Sequence, residues 1–222
     1  AHSDYSFDGN GNIIDRTAKY IFVGKPNSKA GDVNGAVRVI KRITSSSYRF
    51  DSATLGDFVV LVLEKDLVEM NEVKLLTPEL ASVFIAQQIP IKMHGYGEYK
   101  DRCLPNEALP CTVKAKRTDL PRSLTSRLMN LSEVERIVGY TRPQLSTSLV
   151  LNNGKVGFGC SGDSGGSITA NYQGELIYLG TTPNGMNGYA CGASGDYDGK
   201  GGINYSSPVY SHLDVIEEAK KL

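Results

Sequence analysis

Short apolar runs bounded by polar and turn residues recur along most of this chain, a patterning that favours strands. Segments rich in β-branched and aromatic residues recur between turn residues: YIFVG at 20–24, AVRVIKRI at 36–43, FVVLVLE at 58–64, IPIKMHGYG at 89–97, CTVKAKR at 111–117, SLVLNNGKVGFG at 148–159, GSITANYQGELIYLGTT at 166–182 and GGINYSSPV at 201–209. Two of these read as hairpins, one turning at Asn153-Gly154 and the other at Gln173-Gly174. Alternating strand and helix units would need helical patterns of about 10 to 15 residues between the strands, and such patterns are mostly missing. The chain therefore reads as an all-β sandwich or barrel.

Two stretches have helical spacing. In SHLDVIEEAKKL, 211–222, the residues Leu213, Ile216, Ala219 and Leu222 fall on one face, with acids early and lysines late as the helix dipole favours. This predicts a C-terminal helix docked on the core, with His212 a surface residue or a contact at the helix start. LSEVERIVG, 131–139, opens on a Ser132 to Glu135 capping box and predicts a turn or two before Gly139. A stretch with Pro, Lys and Arg at 104–124 reads as a surface excursion, and a boundary between two lobes is expected near 78–90.

Composition narrows the class. With 222 residues, 40% of them hydrophobic, the chain can bury a sizeable core as one large domain or two lobes. Lys plus Arg and Asp plus Glu are balanced at 24 each, so charge gives no attraction to nucleic acid or to an anionic membrane. The longest apolar run, FVVLVL at 58–63, is far short of the roughly 20 residues that span a bilayer. AHSDYS at the start has neither an initiator methionine nor a signal-like segment, so any signal or pro-segment is expected to have been removed or left out. Four cysteines at 103, 111, 160 and 191 allow three pairings and form no metal-binding pattern. They predict two disulfides and an oxidising compartment, and no metal or cofactor is expected.

The chemistry concentrates in GFGCSGDSGGS, 157–167, where five glycines, a cysteine and an aspartate surround Ser164. A serine hydroxyl becomes nucleophilic when an adjacent base takes its proton and a third group orients that base. The chain has three histidines, His2, His94 and His212, as candidate bases. GDSGG at 162–166 also satisfies the G-x-S-x-G elbow of the α/β-hydrolases, which would combine Ser164 with Asp196 or Asp198 and then His212. That elbow leads from a strand into a helix, whereas GGSITANYQGELIYLG reads as a hairpin. His94 reads as a satisfied strand histidine.

The other order is histidine, acid, serine. CSGDSGGS at 160–167, GDFVVLVLEKD at 56–66, AHS at 1–3, HGYG at 94–97 and the C-terminal helix follow one another as do motifs of the trypsin and chymotrypsin family of serine proteases, which the chain resembles over nearly its whole length. The spacings, 55 residues from His2 to Asp57 and 107 from Asp57 to Ser164, are slightly longer than is usual there. The resemblance implies two six-stranded antiparallel Greek-key β-barrels with a C-terminal α-helix. Residues 1–85 would be the remainder of an N-terminal barrel that is incomplete at its start, and 86–222 the second barrel.

The same resemblance implies a secreted, extracellular or periplasmic, endopeptidase with His2, Asp57 and Ser164 as its triad. The N–H groups of Gly162 and Ser164 would form the oxyanion hole, and Asp163 would support the oxyanion loop, in the family by pairing with a new N-terminal amine. The segment carrying that amine is expected in cis or as a separate chain. Phe158, Ser161, Pro183, Asn184 and Gly185 would line the substrate pocket, and Phe158 at its base implies a preference for residues other than Lys or Arg. Cys160 and Cys191 would staple that pocket, and Cys103 and Cys111 a local loop.

Ser3 stands where the family has a cysteine, and Pro183 where a serine often supports the acid. The implied partners are a protein or peptide substrate and a protein protease inhibitor. A protease-like binding protein without turnover is the non-enzymatic alternative.

Overall fold

A computed structural model of the chain describes residues 5–7, 10, 13–15, 18–21, 36–48, 56–67, 72–97, 121–138, 149–152, 162–185 and 203–222. These residues are mostly strands, with few helices and a helix at the C-terminus. In the first half, β1 (Tyr5–Phe7) pairs antiparallel with β2 (Ile13–Asp15). Then β3 (Tyr20–Ile21), β4 (Val37–Thr44) and β5 (Val59–Leu63) form an antiparallel three-stranded sheet. The β4–β5 register shifts between Val39 and Lys41. Ile40 falls at that bulge and is solvent-exposed, on the face of β4 opposite to the buried Val37 and Ile43.

After β6 (Lys74–Leu75) comes α1 (Pro78–Gln87), which the strand patterning does not reveal and which occupies the expected junction of the two lobes. Its start is encoded locally. The Thr77 hydroxyl accepts a hydrogen bond from the Leu80 N–H at 3.2 Å, and Pro78 takes the first turn, where its missing N–H costs nothing. The helix buries Ala81 and Phe84, and a fully buried Phe contributes roughly 2–3 kcal/mol.

The second half supplies β7 (Pro90–Gly95), β8 (Arg122–Met129), α2 (Leu131–Val138), β9 (Leu149–Asn152), β10 (Ser167–Tyr172), β11 (Glu175–Gly185) and β12 (Ile203–Pro208). Here six strands each have two antiparallel neighbours: β10 pairs with β7, β7 with β8, β8 with β9, β9 with β12, β12 with β11, and β11 with β10 again. β6 adds to β11 in parallel. The β10–β11 hairpin forms where the sequence places it, with Gln173 (φ 52°) and Gly174 (φ 83°) both left-handed, as the tight turn matching strand twist requires. The helix expected at 131–139 is α2, but it begins at Leu131, one residue before Ser132, so Ser132 stands inside its first turn and not at the cap that the Ser132 to Glu135 pattern predicts. The Asn153-Gly154 turn and the CTVKAKR segment lie outside the described residues.

Inward residues from both halves build one core, including Phe58, Leu76, Phe84, Ile91, Leu128, Ile168, Ile177, Leu179 and Val209. The chain closes with a 3₁₀ turn at Val209–His212 and α3 (Leu213–Ala219), which packs on β4 and β5. The expected face of this helix needs correction. Leu213 and Leu222 are exposed, while His212, Val215 and partly Ile216 point inward. The 3₁₀ turn shifts the phase of the pattern, and α3 ends before Leu222. Accordingly His212 is no surface residue: it is 2% exposed.

Candidate functional site

Ser164 lies in a turn that leads directly into β10. Gly162 (φ 92°) and Gly165 (φ 82°) flank it in backbone conformations that side chains disfavour, and an added Cβ at Gly165 would meet nothing within 4 Å. At Gly165 the requirement is therefore conformational. Gly166 is a case of space, since its Cβ would run into the His94 carbonyl on β7.

The turn is held from two sides. Toward β11, the Gly165 N–H donates to the Thr182 carbonyl at 2.8 Å and the Thr182 N–H donates to the Gly166 carbonyl at 2.9 Å. This places the serine turn beside the backbone that continues into Pro183, Asn184 and Gly185, residues paired on their other side with β12 at Asn184–Tyr205 and Gly185–Asn204. Toward β7, the Asp163 carboxylate accepts the Gly97 N–H at 2.8 Å. Two motifs singled out in the sequence, HGYG and GDSGG, thus meet in space across 66 residues. His94 bonds Thr169 through Nε2 at 3.0 Å, the satisfied strand histidine expected, and partial burial with the nearby Lys92 charge moves its pKa below the ordinary 6.5.

Asp57 precedes β5 and is 3% exposed. Gly56 before it is left-handed (φ 66°), and the Phe58 N–H donates back to the Gly56 carbonyl at 2.6 Å, so a tight backbone turn delivers the carboxylate into the interior. The ring of Phe58 stacks on His212 with centroids 4.6 Å apart and planes 9° from parallel. His212 shares a 2.6 Å hydrogen bond between Nε2 and Ser207 Oγ, while its buried Nδ1 has no hydrogen-bond partner among the described residues. Burial pushes the His212 pKa down to about 4, against the opposing pull of Asp214 and Asp57. A neutral imidazole with a fully buried serine, 2% exposed at Ser207, cannot meet a substrate. This pair is a core contact, and the sequence offers no sign of it beyond the position of His212 at the helix start.

The α/β-hydrolase elbow lacks its context, because Ser164 runs into an antiparallel strand where that architecture needs a helix. His2, Phe158, Ser161 and the four cysteines Cys103, Cys111, Cys160 and Cys191 lie outside the described residues. Among the described residues no cluster of three metal-ligating side chains occurs, and no helix is long and apolar enough to cross a membrane. No protein-family model matches the chain, and comparison with curated proteins finds no relative.

Proposed function

We propose that this chain is a secreted serine endopeptidase of the trypsin and chymotrypsin type, acting through His2, Asp57 and Ser164. One observation carries the reading: the aspartate of GDSGG is hydrogen-bonded to the second glycine of HGYG, so that the serine turn sits at the end of β7 and against β11. The resemblance assigns both motifs to the second barrel, and local sequence does not dictate that they meet. The buried Asp57 supports the reading too, since a carboxylate enclosed by protein is expensive to keep and is suited to stabilising a cation formed during reaction.

In this reading Ser164 Oγ attacks the peptide carbonyl while His2 takes its proton, and Asp57 fixes the imidazole tautomer and stabilises the imidazolium. The N–H groups of Gly162 and Ser164 receive the oxyanion, each contributing about 3 kcal/mol to transition-state stabilisation. His2 then protonates the leaving amine, and water attacks the resulting acyl-enzyme. Pro183 to Gly185 would align the substrate backbone, and Phe158 would set a preference away from Lys and Arg. The cycle of six antiparallel pairings through β7–β12 supports a second six-stranded barrel, and β3–β5 would be strands of the first. Pairing of Cys160 with Cys191 and of Cys103 with Cys111 belongs to the same reading, as does recognition by a protein protease inhibitor.

The test is covalent labelling of the full-length protein by a fluorophosphonate, with the modified residue located by peptide mass. Labelling at Ser164 that is lost in His2→Ala is the expected result. Loss in a His212→Gln variant that keeps the parent's urea midpoint at pH 7, with retention in His2→Ala, would restore the α/β-hydrolase assignment. An intact protein that takes no label would leave the protease-like binding protein as the better description.

A further inference from the structure

The side chain of Asp163 occupies space that two glycines leave open. An added Cβ at Gly97 would stand 2.5 Å from Asp163 Oδ1, 2.6 Å from its Cγ and 2.7 Å from its backbone nitrogen. At Gly95 it would fall on the same carboxylate, 2.7 Å from Cγ and 3.1 Å from Cβ. Real Cβ atoms essentially never approach closer than 3.0 Å, so either the carboxylate or the strand end would have to shift. Neither glycine has a left-handed φ that would by itself require glycine there. Their lack of side chains is explained by Asp163.

We propose that Gly95 and Gly97 are positioning residues for Ser164: their bare backbone forms a socket for the Asp163 carboxylate, and the seated carboxylate sets the shape of the serine turn. The route is short. Asp163 is adjacent to Ser164; its side chain accepts the Gly97 N–H at 2.8 Å and its main-chain carbonyl accepts the Gly166 N–H at 2.9 Å. Both ends of the Asp163–Gly166 turn are therefore tied to one residue, which is itself anchored to the end of β7. A carboxylate displaced by a methyl group at 95 or 97 would carry the Asp163–Ser164 peptide with it. Oxyanion donors act over a narrow distance range, so a small rotation of that peptide weakens them. The inference rests on the reading of Ser164 as nucleophile, and it assigns to β7 a control over that nucleophile.

The experiment is a double-mutant cycle on the full-length protein with Gly97→Ala, Asp163→Ala and the combination, reading the second-order rate of fluorophosphonate labelling at Ser164 and, in parallel, the urea midpoint. Gly97→Ala is expected to slow labelling at least ten-fold, and to slow it no further when Asp163 is already Ala, because the group it displaces is gone. Asp163→Asn, which keeps an Oδ1 acceptor for the Gly97 N–H, should label faster than Asp163→Ala. Tyr96→Ala, at an exposed position between the two glycines, should label at the unmodified rate. A wild-type rate in Gly97→Ala, or losses in the two single variants that multiply in the double, would overturn the socket. If the intact protein takes no label, the nucleophile reading fails by itself. The urea cycle then decides the socket, with coupled midpoints supporting it and additive ones refuting it.

Discussion

Acid should destabilise this protein through His212 in particular. The ring is 2% exposed, stacked on Phe58 and hydrogen-bonded to Ser207, and its pKa is held at about 4 where an unfolded chain would have about 6.5. The folded state therefore binds fewer protons than the unfolded state between these values. The contribution is fully present above pH 6.5 and is lost as the pH falls through 4. At about 1.4 kcal/mol per pKa unit the whole difference corresponds to roughly 3 kcal/mol, of which about 2 kcal/mol is gone by about pH 4.5. His212→Gln removes the titrating ring and keeps a polar group near Ser207. Urea unfolding of both proteins at pH 7 and about pH 4.5 isolates the effect, because His94 and the carboxylates titrate in both. With a urea slope of about 2 kcal/mol per molar, the parent midpoint should fall by about 1 M more than the variant midpoint. Equal falls in the two proteins would refute the reasoning, since the burial of a neutral imidazole would then carry no proton linkage.

Two smaller changes test local encoding. Thr77→Ala removes the acceptor for the Leu80 N–H at the start of α1 and should cost about 1 kcal/mol in urea unfolding, with an unchanged midpoint arguing against the cap. Gln173→Asn places Asn-Gly in the β10–β11 turn, where both residues are left-handed, and should raise stability by about 0.5 kcal/mol, seen as a higher melting temperature; a lower one would contradict the turn assignment.

What could be read from the sequence was what neighbours along the chain decide. The strands β4, β5, β7 and the β10–β11 hairpin follow from β-branched and aromatic runs and turn chemistry, α2 from its Ser-x-x-Glu pattern, and α3 from helical spacing and charge order. Helix α1 escapes the sequence reading: its Thr-Pro-Glu-Leu start is a helix signal, but its mostly apolar sequence hides the helical period, and the stretch reads as a junction. In β8, RSLTSRLM mixes charged and small polar residues and shows too little alternation to be recognised. Only the neighbours β7 and β9 make it a strand. β6 is two residues long and exists only because β11 is there to pair with. At the site, the special character of Ser164, Asp163 and the glycines was plain in the sequence, whereas the partners of those glycines were not. That Gly97 donates to Asp163, and that His212 faces Phe58 next to Asp57, depends on contacts across 66 and 154 residues. No local pattern encodes such distances.

The parallel addition of β6 to β11 bears on how the chain is made. Lys74 meets Glu175 in a 2.7 Å ion pair, and the Leu76 N–H donates to the Tyr178 carbonyl at 3.0 Å, contacts that bridge about a hundred residues of sequence. At a synthesis rate of about 5–20 residues per second, the ribosome needs roughly 5 to 20 s to produce β11 after β6 has been made. Through that interval Leu76, Ala81 and Phe84 have yet to meet Ile177 and Leu179, with which they share the core. Helix α1 can settle earlier on β8, which is made about 40 residues after it, but β6 and Leu76 spend seconds without the strand that completes them.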